Sequence, residues 1–546
     1  MTPPRHILRS TAYDLADALD VNEFYQQQGW TDGLPIVPPT EERVVECLQA
    51  AGLAASDTVG LERIRQRPIT AEKVAINAVM AGCLPAYMPV VVAILRAMCQ
   101  EPFNLHGSTA STGGSAPFIV VNGPIRTAIG MHATHNVLAN GNRANATIGR
   151  AIRLVLINVL GCIPGQLDRS TLGHPGKYTF CIAEDEEDSP WTPLAQERGV
   201  PAGMSGITVM AGASPRQLLN EWTHDPEEIL ETFAAEMRHN MLTYSVWSGN
   251  YALIIPKQLR ELIVAAGWHK HDIRDYIYRA ARVWRRDWAT VGKTNIVQRR
   301  GGPNEEFTAL RSPDDLLVVA AGGPAGGFGV VIPPWFGANA TIGRAIRLVL
   351  INVLECIPGQ LDRSTLGHPG KYTFCIAEDE EDSPWMPLAQ ERGVPAGMSG
   401  LTVMACESPR QLLNEWTHDP EEIVETFAAD MRHNMLTYSV WSGNYALIIP
   451  KQLRELIVAA GWHKHDIREY IYRSARVLRR DWATVGKANI VHRRGGPDQE
   501  FTALRAPDDL LVVAAGGPAG GFGVVIPPWL GAKSEAITQA IDMRTP

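Results

Sequence analysis

Residues 144–183 read ANATIGRAIRLVLINVLGCIPGQLDRSTLGHPGKYTFCIA, and this stretch decides the fold class. Across 147–160 the apolar residues Ile148, Ile152, Val155 and Val159 recur at helical spacing. Residues 178–183 form a short run of β-formers, which reads as a strand closed by Glu184. A helix followed by a buried strand points to an α/β or α+β architecture.

The same stretch returns at 338–377 with a single change, Gly161 against Glu355. It opens a longer repeat: residues 144–337 recur as 338–531 at a constant offset of 194, with about 16 positions different. A unit of this size is a copied domain-sized segment, far longer than the 20–50 residues of a solenoid repeat. Removing one copy from 546 residues leaves a unit of 352. The expected organisation is an N-terminal region 1–143 that packs with repeat 1 (144–337), then repeat 2 (338–531), then a tail (532–546). Neither join carries a Pro-, Ser- or Gly-rich linker. Repeat 2 lacks an N-terminal region of its own, so the matching surface must be covered by repeat 1 or by a second chain, giving a homo-oligomer through the duplicated segment.

Helical periodicity also marks 13–27, 40–53, 70–82, 86–99, 226–239, 256–266 and 271–288, with Thr40 a helix start. Strand signals mark 116–121, 207–210, 252–255 and 316–321. The expectation is a mixed sheet with flanking helices.

Composition narrows the function classes. With 45% hydrophobic and 20% charged residues, the chain can bury a large core. A net charge of −8 offers no basic footprint for nucleic acid or anionic lipid. The N-terminus has no apolar run of signal-peptide length, and no stretch approaches the roughly 20 apolar residues that cross a bilayer. Eight cysteines without a C-x-x-C pair suit a reducing cytoplasm.

Several constellations could carry chemistry. Asp32 lies in WTDGLPIVPPT (30–40), a rigid turn that reads either as a connection or as the seat of an acid, base or ligand. Cys83 follows Gly82 and precedes Leu84-Pro85, where a new helix starts. A helix N-terminus favours a thiolate, although a cysteine among Ala, Met and Leu also reads as a small buried hydrophobe. His106 begins HGSTASTGG, a polar loop whose Thr109 and Thr112 could meet an anion or simply face water. Asn145, Arg143 and Arg150 surround a helix start suited to a carboxylate. His174 and Lys177 precede the strand that ends at Glu184, the first of five consecutive carboxylates and the one worth testing as an acid or base. His132 and His135 have metal-ligand spacing without H-E-x-x-H or a cysteine pair. His269-Lys270-His271 opens a charged helix expected to face water. The glycine-rich 321–329 follows a strand but leads into Val-Val-Ile-Pro-Pro, which suits a loop over a pocket better than a Rossmann site.

W-T-D-G-L-P-x-x-P-P-T, E-K-x-A-x-N-A-V-M-A-G-C, R-A-N-A-T-I-G-R-A, P-G-K-Y-T-F-C and G-W-x-K-x-D-I-R together resemble a bacterial family called UGSC-type, after a selenocysteine-or-cysteine-Gly-Ser-Cys motif. The resemblance spans nearly the whole 352-residue unit and implies thiol or selenol redox work. This chain has no Cys-Gly-Ser-Cys. The resemblance therefore carries only the regions around Cys83 and Asp32, as site elements of unassigned role.

The expectation is a soluble cytoplasmic enzyme, either a cysteine-dependent oxidoreductase or a transferase or hydrolase, acting on a small anionic molecule. Cys83 would be nucleophile or redox thiol, His106 or Glu184 would move the proton, and Arg143 or Arg150 would hold the anion. No cofactor is specified. Two other readings stay open: a metal-assisted hydrolase or lyase using His132 and His135, and a noncatalytic assembly subunit.

Overall fold

In a computed structural model, which describes residues 8–244, 248–298, 302–324, 326–335, 341–344, 375–415, 417–438, 442–492, 495–518, 520–529 and 536–541, the chain has the expected α/β fold of mixed sheets and flanking helices. The N-terminal helices begin where capping chemistry sets them: Asp17 and Thr40 accept first-turn backbone N–H groups of the helices Ala18–Gln27 and Glu41–Ala51. The buried helices α1 (Ala71–Ala81), α2 (Met88–Met98) and α3 (Arg143–Asn158) form a layer, and α1 packs along α3. Asn142 caps α3 by accepting from Asn145 N, so the repeat boundary at 144 falls inside the first turn of this helix. Gly149 has no room for a side chain, because Thr179 and Phe180 lie directly against it.

Repeat 1 supplies most of the strands around this layer. They are β1 (Ala116–Asn122), β2 (Cys181–Ala183), β3 (Gly206–Gly212), β4 (Arg216–Leu219), β5 (Tyr251–Ile255), β6 (Leu316–Ala320), β7 (Phe328–Ile332) and β8 (Thr341–Arg344). One sheet has the order β8-β3-β1-β2, with β1 parallel to β2 and the other neighbours antiparallel. The second has the order β6-β5-β7-β4, with β5 and β6 parallel. The sheets face each other through Phe118, Val120, Ile182 and Met210 on one side and Ile254, Leu317, Val319 and Val330 on the other. Helix α2 covers the outer face of β3 and β8.

Three sequence expectations need correcting. The helix expected over 271–288 stops at Ala280, and Arg282–Trp284 pairs as a strand with Glu306–Thr308. The strand expected over 178–183 is confined to Cys181–Ala183, because Pro175–Lys177 takes a tight helical turn. Lys270, expected in water, is buried and donates to Glu184.

Repeat 2, to which β8 belongs in sequence, also holds β9 (Ser399–Val403), β10 (Arg410–Leu413), β11 (Tyr445–Ile449), β12 (Leu510–Ala514) and β13 (Phe522–Ile526), besides the short pair Arg476–Leu478 and Glu500–Thr502, and the expected tail contains a further strand, β14 (Ile537–Ile541). The order β10-β13-β11-β12 reproduces the second sheet of repeat 1, and β9 pairs with β14. What differs is the cover. Ile207 and Val209 on β3 are 0% exposed beneath α2, whereas their counterparts Leu401 and Val403 on β9 are 49% and 58% exposed. The chain holds one N-terminal layer, and repeat 1 uses it.

Repeat 1 covers repeat 2 elsewhere, through a two-fold arrangement of the long helices α4 (Pro226–Tyr244) and α5 (Pro420–Tyr438). Contacts are reciprocal at the 194-residue offset. Thr232 Oγ1 donates to Val485 O and Thr426 Oγ1 to Val291 O; Asn220 donates to Gly486 O and Asn414 to Gly292 O. Gly292 and Gly486 both have positive φ and lie so close to the opposite backbone that any side chain would collide with it.

On the axis the rings of His239 and His433 stack at 4.0 Å. His239 meets Asp430 at 3.2 Å and His433 meets Glu236 at 3.0 Å. Arg410 donates to both carboxylates, while Arg216 reaches across to Gln411 O. All six side chains are buried. Burial, together with the neighbouring ring, pushes His433 down to about 3, and His239 is also lowered, so both rings are neutral at pH 7. The two arginines and two carboxylates then balance.

Candidate functional site

Between the N-terminal region, repeat 1 and repeat 2 lies a cavity of about 540 Å³, a size suited to a small organic molecule. Thr31 and Asp32 come from the N-terminal region, and Arg153, Ile157 and the loop from Asp168 to Tyr178 from repeat 1. Repeat 2 contributes Pro409, Ile448, Gly516 and Val524, as well as Cys375, the exposed counterpart of the buried Cys181. Leu172, Ile157, Ile448 and Val524 make much of the wall apolar, and the polar groups gather at one end.

That polar end is built around Lys177. Its Nζ donates to both oxygens of Asp168 at 2.8 Å and to Ser170 Oγ at 2.6 Å. Arg153 donates to Asp168 Oδ2 at 2.8 Å. The hydroxyl of Ser170 lies 2.7 Å from Asp168 Oδ1 and 3.1 Å from Gly113 O. The local fold explains the convergence. Pro175 starts a tight turn whose Gly176 N–H is bound by His174 Nδ1, and the turn swings Lys177 back over Asp168 and Ser170.

Burial pulls Lys177 down to about 8, even though Asp168 works in the opposite direction. Although burial works the other way on a carboxyl, Lys177 and Arg153 together hold Asp168 down at about 2. His174 is pushed to about 3, first by burial and then by the Lys177 charge, so its ring is neutral. The arrangement offers a hydroxyl beside an amine that loses its proton near neutral pH, which can support nucleophilic attack by Ser170.

Of the residues that the sequence marks, Asp32, His174 and Lys177 line this cavity. Asp32 is held by two bonds from Arg150, at 2.8 Å each, which occupies both groups in closing the 30–40 turn onto α3. Arg143 donates to Gly82 O and so caps the C-terminal end of α1. Neither arginine is therefore free to hold a substrate anion in the expected way. Asn145 binds the backbone of His132 from both ends of its amide. Thr109 donates to Leu105 O and His106 O within its own short helix, and Thr112 meets Thr171 through its backbone.

Cys83 departs furthest from expectation. It is buried in the N-terminal core and does not line the cavity, and its thiol donates to Thr147 O at 3.3 Å. Burial pushes its pKa up to about 12, the reverse of the lowering expected at a helix start. Free backbone N–H groups would favour a thiolate, but this side chain is buried among apolar neighbours. Cys83→Ser is expected to leave the chemistry of Ser170 unchanged within twofold and to cost about 1 kcal/mol of stability; denaturant unfolding and serine-probe labelling check the two halves.

Glu184 is likewise structural. It accepts from Asn122, Leu194 N and Lys270, and the last pair is 2.8 Å apart with both side chains almost fully buried. The carboxylates that follow are drawn apart by Arg260, Arg126 and Lys257. His106 lies 3.9 Å from Glu62, away from the cavity. His132 has its ring on His135 O, and among the described residues no three His, Cys, Asp or Glu side chains converge as a metal site. The glycine-rich loop of repeat 1 does not line the cavity, but Ala515 and Gly516, the counterparts of Ala321 and Gly322, do.

The sequence does not mark Arg153, Asp168 or Ser170 as site residues. Asp168-Arg-Ser170 followed by His174-Pro-Gly-Lys177 was the available signal, but it matches no compact catalytic motif. No protein-family model matches the chain, and no curated protein matches it. Among the described residues, no helix is long and apolar enough to cross a membrane.

Proposed function

We propose that the chain is a small-molecule enzyme of the hydrolase or acyl-transferase class, with Ser170 as nucleophile and Lys177 as its base. The observation that carries this reading is the 2.6 Å contact between Lys177 Nζ and Ser170 Oγ at the wall of the 540 Å³ cavity. An amine titrating near 8 is well matched to general-base work near neutral pH. The nucleophilic role expected of Cys83 thus passes to a hydroxyl.

Neutral Lys177 takes the Oγ–H proton as Oγ bonds to the acyl carbon of an ester or amide. The ammonium returns that proton to the leaving oxygen or nitrogen as its bond to carbon breaks, and water or another acceptor then releases the acyl group by the same steps in reverse. Asp168 and Arg153 orient Lys177 by fixing the partner it shares with Ser170. The mixed wall suits a small, partly apolar acyl compound.

A fluorophosphonate probe tests this reading, because its phosphorus accepts Oγ as fluoride leaves. One probe per chain should attach to Ser170, and none to the Ser170→Ala variant. Unchanged labelling of that variant, or no labelling of the native chain at pH 9, would remove Ser170 from the nucleophile role.

A further inference from the structure

We propose that repeat 2 acts as a built-in partner subunit, completing one site per chain by clamping the Ser170 loop from across the two-fold axis, with Gln411 as the positioning residue. This rests on the Ser170–Lys177 reading and adds to it the source of the site's geometry.

Two loops hold Ser170. Residues 111–114 receive its hydroxyl at Gly113 O, and Thr171 N donates to Thr112 O at 2.8 Å. Both loops are fastened by repeat 2. Gly114 N donates to Gln411 Oε1 at 3.0 Å, and Gly517 N donates to Thr171 O at 3.1 Å. The ring of Phe522 closes over Gly113, where a Cβ would meet its Cζ at 3.3 Å. Arg216 of repeat 1 fixes the backbone of Gln411 in turn, by donating to its carbonyl at 2.8 Å. The acceptor that positions the nucleophile loop is therefore itself placed by the interface between the repeats.

A second site related by the two-fold axis would need a second 111–114 loop, which the sequence does not contain. The counterparts of Gln411 and Phe522 are Gln217 and Phe328. Gln411 is 1% and Phe522 3% exposed, whereas Gln217 and Phe328 are only half-buried. The 111–114 loop that covers the first pair occurs once, in the part of the chain that was not duplicated. Both phenylalanines pack on a tyrosine of the opposite repeat, Phe522 on Tyr244 and Phe328 on Tyr438, but only Gln411 and Phe522 meet the 111–114 loop. A two-fold assembly of 352-residue units would hold two N-terminal regions and two such loops; the duplicated chain keeps the interface and one N-terminal region.

The duplication supplies its own control. Acetic anhydride labelling of the full-length chain across pH, read at the Lys177 peptide by mass spectrometry, reports how that amine titrates. Gln411→Leu should move its midpoint upward by about one unit as the loop loosens and water enters, and raise hydrogen exchange of the 108–115 backbone at least tenfold. Gln217→Leu should do neither, and Gln411→Glu, which keeps an acceptor, should retain most of the protection. Phe522→Leu against Phe328→Leu repeats the comparison should the Gln411 variant not fold. A low native midpoint that Gln411→Leu and Phe522→Leu both leave in place overturns this inference alone. An ordinary lysine midpoint in the native chain removes the Ser170–Lys177 reading and this inference with it.

Discussion

Arg410→Leu is expected to destabilise the chain by about 3–5 kcal/mol, the usual cost of removing one partner from a buried ion pair. Arg410 donates to Asp430 at 3.0 Å and to Glu236 at 2.9 Å, and all three side chains are buried on the axis between the repeats. Without it, two carboxylates face one another with Arg216 3.9 Å from Glu236 as the remaining nearby cation. The loss belongs to the unpaired charges and not to the shape of the pocket. Adding Glu236→Gln and Asp430→Asn to Arg410→Leu should therefore restore most of it, measured by denaturant unfolding at pH 7. A triple variant no more stable than Arg410→Leu alone would show that packing, not charge, sets the cost.

The same cluster fixes the direction of the pH dependence. In the folded chain Arg410 is the main cause holding Glu236 and Asp430 below their usual range, while burial keeps His433 and His239 unprotonated. All four have folded pKa values below their unfolded ones. The unfolded chain takes up protons first, so native stability falls as pH drops from about 6.5, by at most about 1.4 kcal/mol per unit for each group titrating. In Arg410→Leu the carboxylate contribution reverses, because unpaired buried carboxylates have raised pKa values and protonation relieves them. The gap between the native chain and the variant should narrow between pH 6 and pH 4.

Much of this fold is readable in local sequence, and the exceptions have physical causes. Thr147-Ile-Gly-Arg150 lies in helix α3, whereas the identical Thr341-Ile-Gly-Arg344 pairs with β3 as strand β8. In the first copy Asn142 caps the helix and α1 packs along it. In the second the preceding residues are Pro-Pro-Trp-Phe-Gly, and the edge of β3 takes the segment instead. Tertiary surroundings outweigh propensity over four residues. The site was less readable than the fold for a related reason. Cys83 has the local marks of an activated thiol, and only the packing of α1, α3 and the 30–40 turn shows that it is sealed. Ser170 has no such marks: Asp168 and Lys177 are close to it in sequence, but the turn at 175–177 brings the lysine onto its hydroxyl, and residues 111–114 and repeat 2 hold the loop in place.

Lys177→Met is expected to slow fluorophosphonate labelling of Ser170 by about 10²–10⁴-fold, the usual contribution of a positioned base. The variant should still fold, because Asp168 keeps Arg153 and methionine fills the apolar part of the lysine stem's space. In the native chain the labelling rate should rise with pH and level off above about 8, where burial has brought the amine's titration. At pH 7 roughly a tenth of such an amine is neutral, enough to act as a base in every molecule by fast exchange. Asp168 opposes that shift by favouring the ammonium. Asp168→Asn should accordingly move the rising limb to lower pH, while Lys177→Met should abolish the limb and leave a flat, slow rate. The two variants separate a base from a mere positive charge. If Lys177 only held charge near Ser170, Lys177→Arg would preserve the native rate; as a base it cannot be replaced by a guanidinium that never gives up its proton. A pH-independent native rate, or full activity in Lys177→Arg, would leave Ser170 without its base and return the cluster to a structural ion pair.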